Sequence, residues 1–173
     1  MTGDAADDVI VGSEFADVIM SLGGDDLVFP AEGLDRVCAG EGADFAQNSA
    51  GADRMFGDPG NDILVSVDGV WAHEDFFGEG GRDSLYGYGG SDLLKAGDGG
   101  NSGGNLENIA GGPGDDDLYG NAGDDGLFDG YGEDSMHGGS GSDVGSPCAD
   151  GDPDTWATDV ETVYPPASGS PPC

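Results

Sequence analysis

Between Gly3 and Val65 apolar and polar positions recur every nine residues, with nothing inserted or lost. The segments start at Gly3, Gly12, Ser21, Pro30, Ala39, Asn48 and Gly57, and their eighth residues are Ile10, Ile19, Val28, Val37, Ala46, Met55 and Leu64. The first six residues of each are rich in Gly, Asp and Asn, which supply positive φ and close backbone approach, so they predict a turn. The last three predict a short strand whose middle side chain faces opposite its neighbours. If that residue points inward, two segments close one flattened coil and coils stack about 4.8 Å apart. The pattern therefore predicts an all-β chain folded as a parallel β-roll, a β-helix-like solenoid.

The rest of the chain divides against this frame. Residues 66–77 are an insert, three residues longer than a unit; residues 78–104 hold three repeats, the last degenerate with Asn101 at its sixth place. Residues 105–110 are a short interruption in which Leu106 and Ile109 predict a strand, residues 111–146 hold four repeats, and residues 147–173 form a C-terminal cap and tail. In that tail Thr155 to Tyr164 alternates like one terminal strand, and the Pro/Ser segment after it reads as loose.

Composition adds a constraint that the pattern alone does not. The chain of 173 residues carries 36 Gly and 36 acidic residues against four basic ones, for a formal charge of -32. A nucleic-acid partner requires a basic footprint, and an anionic bilayer repels such a surface. No apolar run approaches the roughly 18 residues of a membrane span, and the opening MTGDAADD does not read as a signal peptide. Low hydrophobicity with high charge is also a signature of disorder. The conserved phase of the repeat argues against disorder once the charge is neutralised.

The neutralising chemistry follows from position six, which is Asp8, Asp17, Asp26, Asp35, Asp44, Asp53 and Asp62 in the first block, Asp83 and Asp92 in the second, and Asp116, Asp125, Asp134 and Asp143 in the third. Stacking puts Asp8, Asp26, Asp44 and Asp62 on one edge and Asp17, Asp35 and Asp53 on the other. Rows of carboxylates beside turn carbonyls are the hard oxygen donors that Ca²⁺ takes, six to eight at a time. The units resemble the glycine-rich nonapeptide G-G-x-G-x-D-x-U-x of RTX proteins, over fourteen units and roughly three quarters of the chain. The resemblance implies a calcium-bound parallel β-roll in which the position-six Asp side chains and carbonyls of the preceding turn hold several Ca²⁺ ions. It also implies a secreted, extracellular protein. Sites of the weak extracellular type, about 10⁻⁴ to 10⁻³ M, are each worth about 4 to 5 kcal/mol at standard state, so folding is expected to depend on calcium.

Departures from the motif set further expectations. Ala6 and Phe15 replace the glycine of position four, and Pro30 and Asn48 that of position one, which weakens those turns as sites. Asp7, Asp25 and Asn61 at position five of the odd units, against Ala16, Leu34 and Ala52 of the even ones, favour the edge of Asp8, Asp26, Asp44 and Asp62. In the third block Asp116/Asp134 and Asp125/Asp143 are the best pairs. No nucleophile, base or pocket constellation marks an enzyme; His73 and His137 read as surface residues, and the acidic pairs are accounted for without a glycosidase dyad. Trp71, Phe76 and Phe77 are expected to plug the join at the insert. Cys148 and Cys173 are candidates for a disulfide if the protein is extracellular, leaving Cys38 unpaired. The outward residues Val9, Val11, Leu27, Phe29, Phe45, Ile63 and Val65 make an outer face apolar enough to call for a second copy, another domain or the tail around Trp156. The alternative to a structural role is a calcium-dependent adhesion or carbohydrate-binding module with a glycan ligand, attached to an extracellular enzyme or free.

Overall fold

The computed structural model of the chain describes residues 1–67, 72–98, 107–146, 148, 153–160 and 162–163. Trp71, Asn101, Leu106, Cys173 and the Pro/Ser tail, all named above, lie outside these. The chain is all-β, and every strand pair is parallel. Successive repeats alternate between two sheets. The first runs Val9–Val11, Leu27–Phe29, Phe45–Gln47, Ile63–Val65, Ser84–Tyr86, Glu107–Pro113, Asp125–Tyr131, Val144–Ser146, Thr162–Val163. The second runs Val18–Met20, Arg36–Cys38, Arg54–Phe56, Asp75–Gly81, Leu93–Gly97, Asp117–Ala122, Ser135–Ser140, Thr155–Trp156, with Pro59–Gly60 pairing beside Asp75–Gly81. The pairings Val9 with Leu27 and Val18 with Arg36 show the step of two nonapeptides per coil. The chain is therefore a parallel β-solenoid.

The eighth residue of each unit is the inward one. Ile19, Val28, Val37, Ala46, Met55, Leu64, Leu85, Leu94, Leu118, Leu127 and Met136 are fully buried in one continuous core, with Ile10 half-buried at its N-terminal end. Strands of three residues suffice because only the middle side chain has to be apolar. Residues 75–77 keep this register: Phe76 stands between Met55 and Leu94 in the core, while Phe77 points outward and stacks on Phe56 at 5.0 Å. Ile109 likewise pairs with Leu85 and Leu127 as a core residue.

The C-terminal end departs from the expectation of one strand from Thr155 to Tyr164. Thr155–Trp156 pairs in the second sheet and Thr162–Val163 in the first, because a turn at Ala157 to Val160 carries the chain across. Trp156 is in register with Met136 and packs against the core. The facing inward position of the first sheet is Gly145, and a Cβ there would run into the indole. Small Gly145 and large Trp156 thus fill the last coil together. Trp156 is therefore not the cover of the apolar outer face.

Candidate metal centres

Most of the described turns are shaped by two left-handed residues, at positions two and four. Position four is glycine at φ between +105° and +153° in Gly24, Gly33, Gly42, Gly51, Gly81, Gly90, Gly114, Gly123, Gly132 and Gly141. At Gly42 the need is steric as well, since a Cβ would fall on the Gly24 carbonyl oxygen one coil back. Position two tolerates Leu22, Ala31, Asp58, Glu79, Tyr88 and Asn121 at φ 67° to 86°. Ala6 and Phe15 are not left-handed, so the first two turns have a different shape, as their missing glycines lead one to expect.

These turns bring the position-six residues into two columns. Along the first edge the backbone N–H of Asp8 donates to Oδ1 of Asp26 at 2.7 Å, Asp26 to Asp44 at 2.8 Å, Asp44 to Asp62 at 2.9 Å and Asp62 to Asp83 at 2.9 Å. Asp125 donates to Asp143 at 3.0 Å further along the same edge. Along the second edge Asp17 donates to Asp35 and Asp35 to Asp53, both at 2.7 Å, Asp92 to Asp116 and Asp116 to Asp134, both at 2.8 Å. All thirteen sequence-predicted Asp residues therefore stand in two rows, one coil apart except from Asp53 to Asp92 and from Asp83 to Asp125, which are two coils apart.

Each rung uses Oδ1 of the accepting carboxylate. The other, Oδ2, is buried without a hydrogen-bond partner among the described residues in Asp26, Asp35, Asp44, Asp62, Asp83, Asp92 and Asp116. Position one is small for this reason: a Cβ at Gly57 or Gly111 would collide with Oδ2 of Asp62 or Asp116. Where Asn48 replaces the glycine the oxygen is taken up, its Nδ2 donating to Asp53 Oδ2 at 2.9 Å, whereas Ser21 and Pro30 leave the Oδ2 atoms of Asp26 and Asp35 unpartnered among the described residues. At the N-terminal end Asp8 and Asp17 are only half-buried, and their Oδ2 atoms accept from the N–H of Asp4 and Ser13 at 2.8 and 2.7 Å.

Position five forms a second ladder, between coils and not within the turn. Asp7 Oδ1 accepts from Asp25 N–H at 3.0 Å, Asp25 Oδ1 from Ala43 N–H at 2.9 Å and Asn61 Oδ1 from Arg82 N–H at 3.0 Å. Asp115 and Asp124 do the same for Glu133 and Ser142. Ala16, Leu34 and Ala52 on the opposite edge have no side-chain oxygen for this.

Four further carboxylates join the columns that sequence reasoning missed. Glu74 lies between Asp53 and Asp92, its N–H donating to Asp92 Oδ1 at 2.9 Å, and Glu107 pairs with Asp125. Asp154 continues the second edge beyond Asp134, at 3.4 Å from its N–H, and Asp129 is a buried carboxylate at a position one. The signal for three of them was legible: Glu74 precedes Phe76, Glu107 precedes Ile109 and Asp154 precedes Trp156 by the same two residues that separate Asp from the apolar residue in every repeat. Nine-residue spacing hid it.

Burial and like-charge neighbours make the columns poor places for unneutralised carboxylates. Burial pushes Asp62 and Asp116 up to about 8 and Asp44, Asp83 and Asp129 to about 6, against hydrogen bonds that pull them down. Glu107, buried beside Asp125, is also driven upward. Asp35 is raised by burial, whereas the N–H and hydroxyl of Ser13 lower Asp17 at the exposed end. Orphaned carboxylate oxygens in a glycine-floored cradle, with turn carbonyls facing the next coil, are the hard donor set suited to Ca²⁺. Imidazole and thiolate take no part: His73 is exposed beside Asp75, His137 stacks on Tyr119 at 4.7 Å, and Cys38 sits on an outer face.

The sequence model of the RTX calcium-binding nonapeptide repeat matches four stretches of the chain, residues 2–37, 33–64, 68–102 and 108–144. The chain belongs to the RTX calcium-binding nonapeptide repeat family. Its repeats bind calcium, and the buried Asp columns fit that role. Comparison with curated proteins and with solved structures gives no match.

Proposed function

We propose that the chain is a secreted, extracellular structural module whose folding is driven by several Ca²⁺ ions held along both edges of the β-roll. The ligands in this reading are Asp8, Asp17, Asp26, Asp35, Asp44, Asp53, Asp62, Asp83, Asp92, Asp116, Asp125, Asp134 and Asp143, with Glu74 and Glu107 in the same slots. The observation that carries it is the row of buried Oδ2 atoms without a hydrogen-bond partner. Bound calcium supplies positive charge where successive coils bring carboxylates together. The chain's own residues orient the donors: Oδ1 is fixed by the N–H of the preceding coil, so Oδ2 is held in place, and position-one glycine leaves it room.

In the first block the edge of Asp8, Asp26, Asp44 and Asp62 carries a position-five ladder that the edge of Asp17, Asp35 and Asp53 lacks, and we assign it the more complete occupancy. The module has no catalytic role in this reading. On the second sheet the outward row Phe56, Phe77, Lys95, Tyr119 and His137 is stacked ring on ring or cation on ring. Those ring faces are spent on one another, so the row favours a structural role over a sugar platform. Outward Val9, Val11, Leu27 and Ile63 are exposed, with Phe29, Phe45 and Val65 half-buried beside them, and we assign this face to contact with a second copy or a neighbouring domain.

Equilibrium dialysis counts the ions. Several Ca²⁺ per chain, with loss on changing Asp44 and Asp62 together to Asn, is the expected result; a chain that binds none or one contradicts the reading. Sedimentation of the calcium-loaded protein tests the apolar face, where a monomer overturns self-association.

A further inference from the structure

Asp129 breaks the rule that position one is small, and it does so at one place only in the third block, where the other units have Gly111, Gly120 and Gly138. Its carboxylate is 1% exposed. Oδ1 accepts from the N–H of Gly130 and of Cys148, both at 2.7 Å, which ties the turn to the start of the tail. Oδ2 is buried and has no hydrogen-bond partner among the described residues. Asp129 brings an oxygen into a group with oxygens of Asp134 and Asp154, all within 4.8 Å of one another. Two oxygens bound to one Ca²⁺ at about 2.3 to 2.6 Å lie no more than about 5 Å apart, so a single ion is able to reach all three.

We propose that Asp129, Asp134 and Asp154 form a terminal three-carboxylate calcium site that is distinct in composition from the repeat sites and locks the C-terminal cap onto the roll. The inference rests on the calcium reading of the repeat but goes beyond it. Asp154 lies outside the stretches that match the family, and Asp129 stands where the repeat has glycine. A third carboxylate adds charge that a site of facing position-six Asp residues lacks, and greater ligand charge tightens calcium binding. The terminal site should therefore fill before the others, anchoring Trp156 two residues beyond Asp154 under Gly145.

The location of Trp156 makes the site separately readable. With Trp71→Phe in the full chain, Trp156 is the sole tryptophan, and emission of Tb³⁺ excited at about 295 nm, competed by Ca²⁺, reports a cation near it. Circular dichroism in the same titration reports the roll as a whole. Asp129→Asn keeps an acceptor for the Gly130 and Cys148 N–H groups and removes the charge, and Asp129→Gly restores the repeat residue. Both are expected to raise the midpoint of the tryptophan-sensitised signal at least tenfold while moving the circular dichroism midpoint less than twofold. An unchanged sensitised midpoint, equal shifts in both signals, or no sensitised emission beside an intact calcium-induced fold overturns the terminal site and leaves the repeat reading standing. Absence of any calcium response by circular dichroism overturns both.

Discussion

The N–H of Asp44 donates to Oδ1 of Asp62 at 2.9 Å, and the Oδ2 of that same Asp62 is buried with no hydrogen-bond partner among the described residues. One carboxylate thus does two jobs, a coil-to-coil hydrogen bond and a donor held ready for a cation. Asp62→Asn separates them, since the amide keeps the acceptor and loses the charge. It is expected to raise the calcium concentration needed for folding severalfold. Asp62→Ala also leaves the buried Asp44 N–H unpaired, at a further cost of about 1 to 3 kcal/mol. Chemical denaturation at saturating calcium checks the order wild type, Asn, Ala.

Protons and calcium compete for the same oxygens. Because Asp62 and Asp116 sit near 8 and Asp44 and Asp83 near 6 in the folded, metal-free chain, against about 4 in the unfolded chain, the folded state holds more protons between these values. Metal-free stability is therefore greatest at and below about pH 4, falls as pH rises from about 4 to about 8, and levels off above that. Calcium affinity moves the opposite way, weakening as pH drops below about 8 and more steeply below about 6. Thermal melts in chelator from pH 4 to 9 test the first trend, and calcium titrations at pH 5 and 8 the second.

Two glycines should respond in opposite ways. Gly42→Ala forces an L side chain to φ +147° and onto the Gly24 carbonyl, with an expected loss of about 2 kcal/mol or more. A Cβ at Gly80 meets nothing within 4 Å, so Gly80→Ala is expected within about 0.5 kcal/mol of wild type. Calcium midpoints of the two variants give the comparison directly.

The cap is testable by truncating one ring. Trp156→Ala empties the space above Gly145 and exposes the end of the core, for an expected loss of about 3 kcal/mol. Limited proteolysis at saturating calcium should then cut first in the C-terminal coils.

Most of the fold was legible in the sequence because two demands, an inward apolar residue and a carboxylate two places before it, recur in phase. Ile19 to Leu64 and Asp26 to Asp62 lie where that phase puts them. What escaped notice has a common cause. Glu74, Glu107 and Asp154 do not follow their column neighbours Asp53, Asp83 and Asp134 by two nonapeptides, yet the Glu-x-Phe, Glu-x-Ile or Asp-x-Trp step enters the sheet in register. The position-five ladder was hidden for another reason: Asp25 bonds to Ala43 in the next coil, and an inter-coil partner leaves no mark in the local sequence. Gly145 broke the apolar column, and only the register of Trp156 with Met136 shows what replaces the missing side chain.

The central claim is that buried carboxylate columns make the β-roll depend on calcium. The most direct test is far-ultraviolet circular dichroism of the full chain at pH 7.5 during a calcium titration from excess chelator to about 10 mM, the range above weak extracellular sites. A cooperative rise in β signal with a midpoint between about 0.1 and 1 mM, reversed by chelator, is the predicted result. A chain equally folded in chelator and in calcium would contradict it.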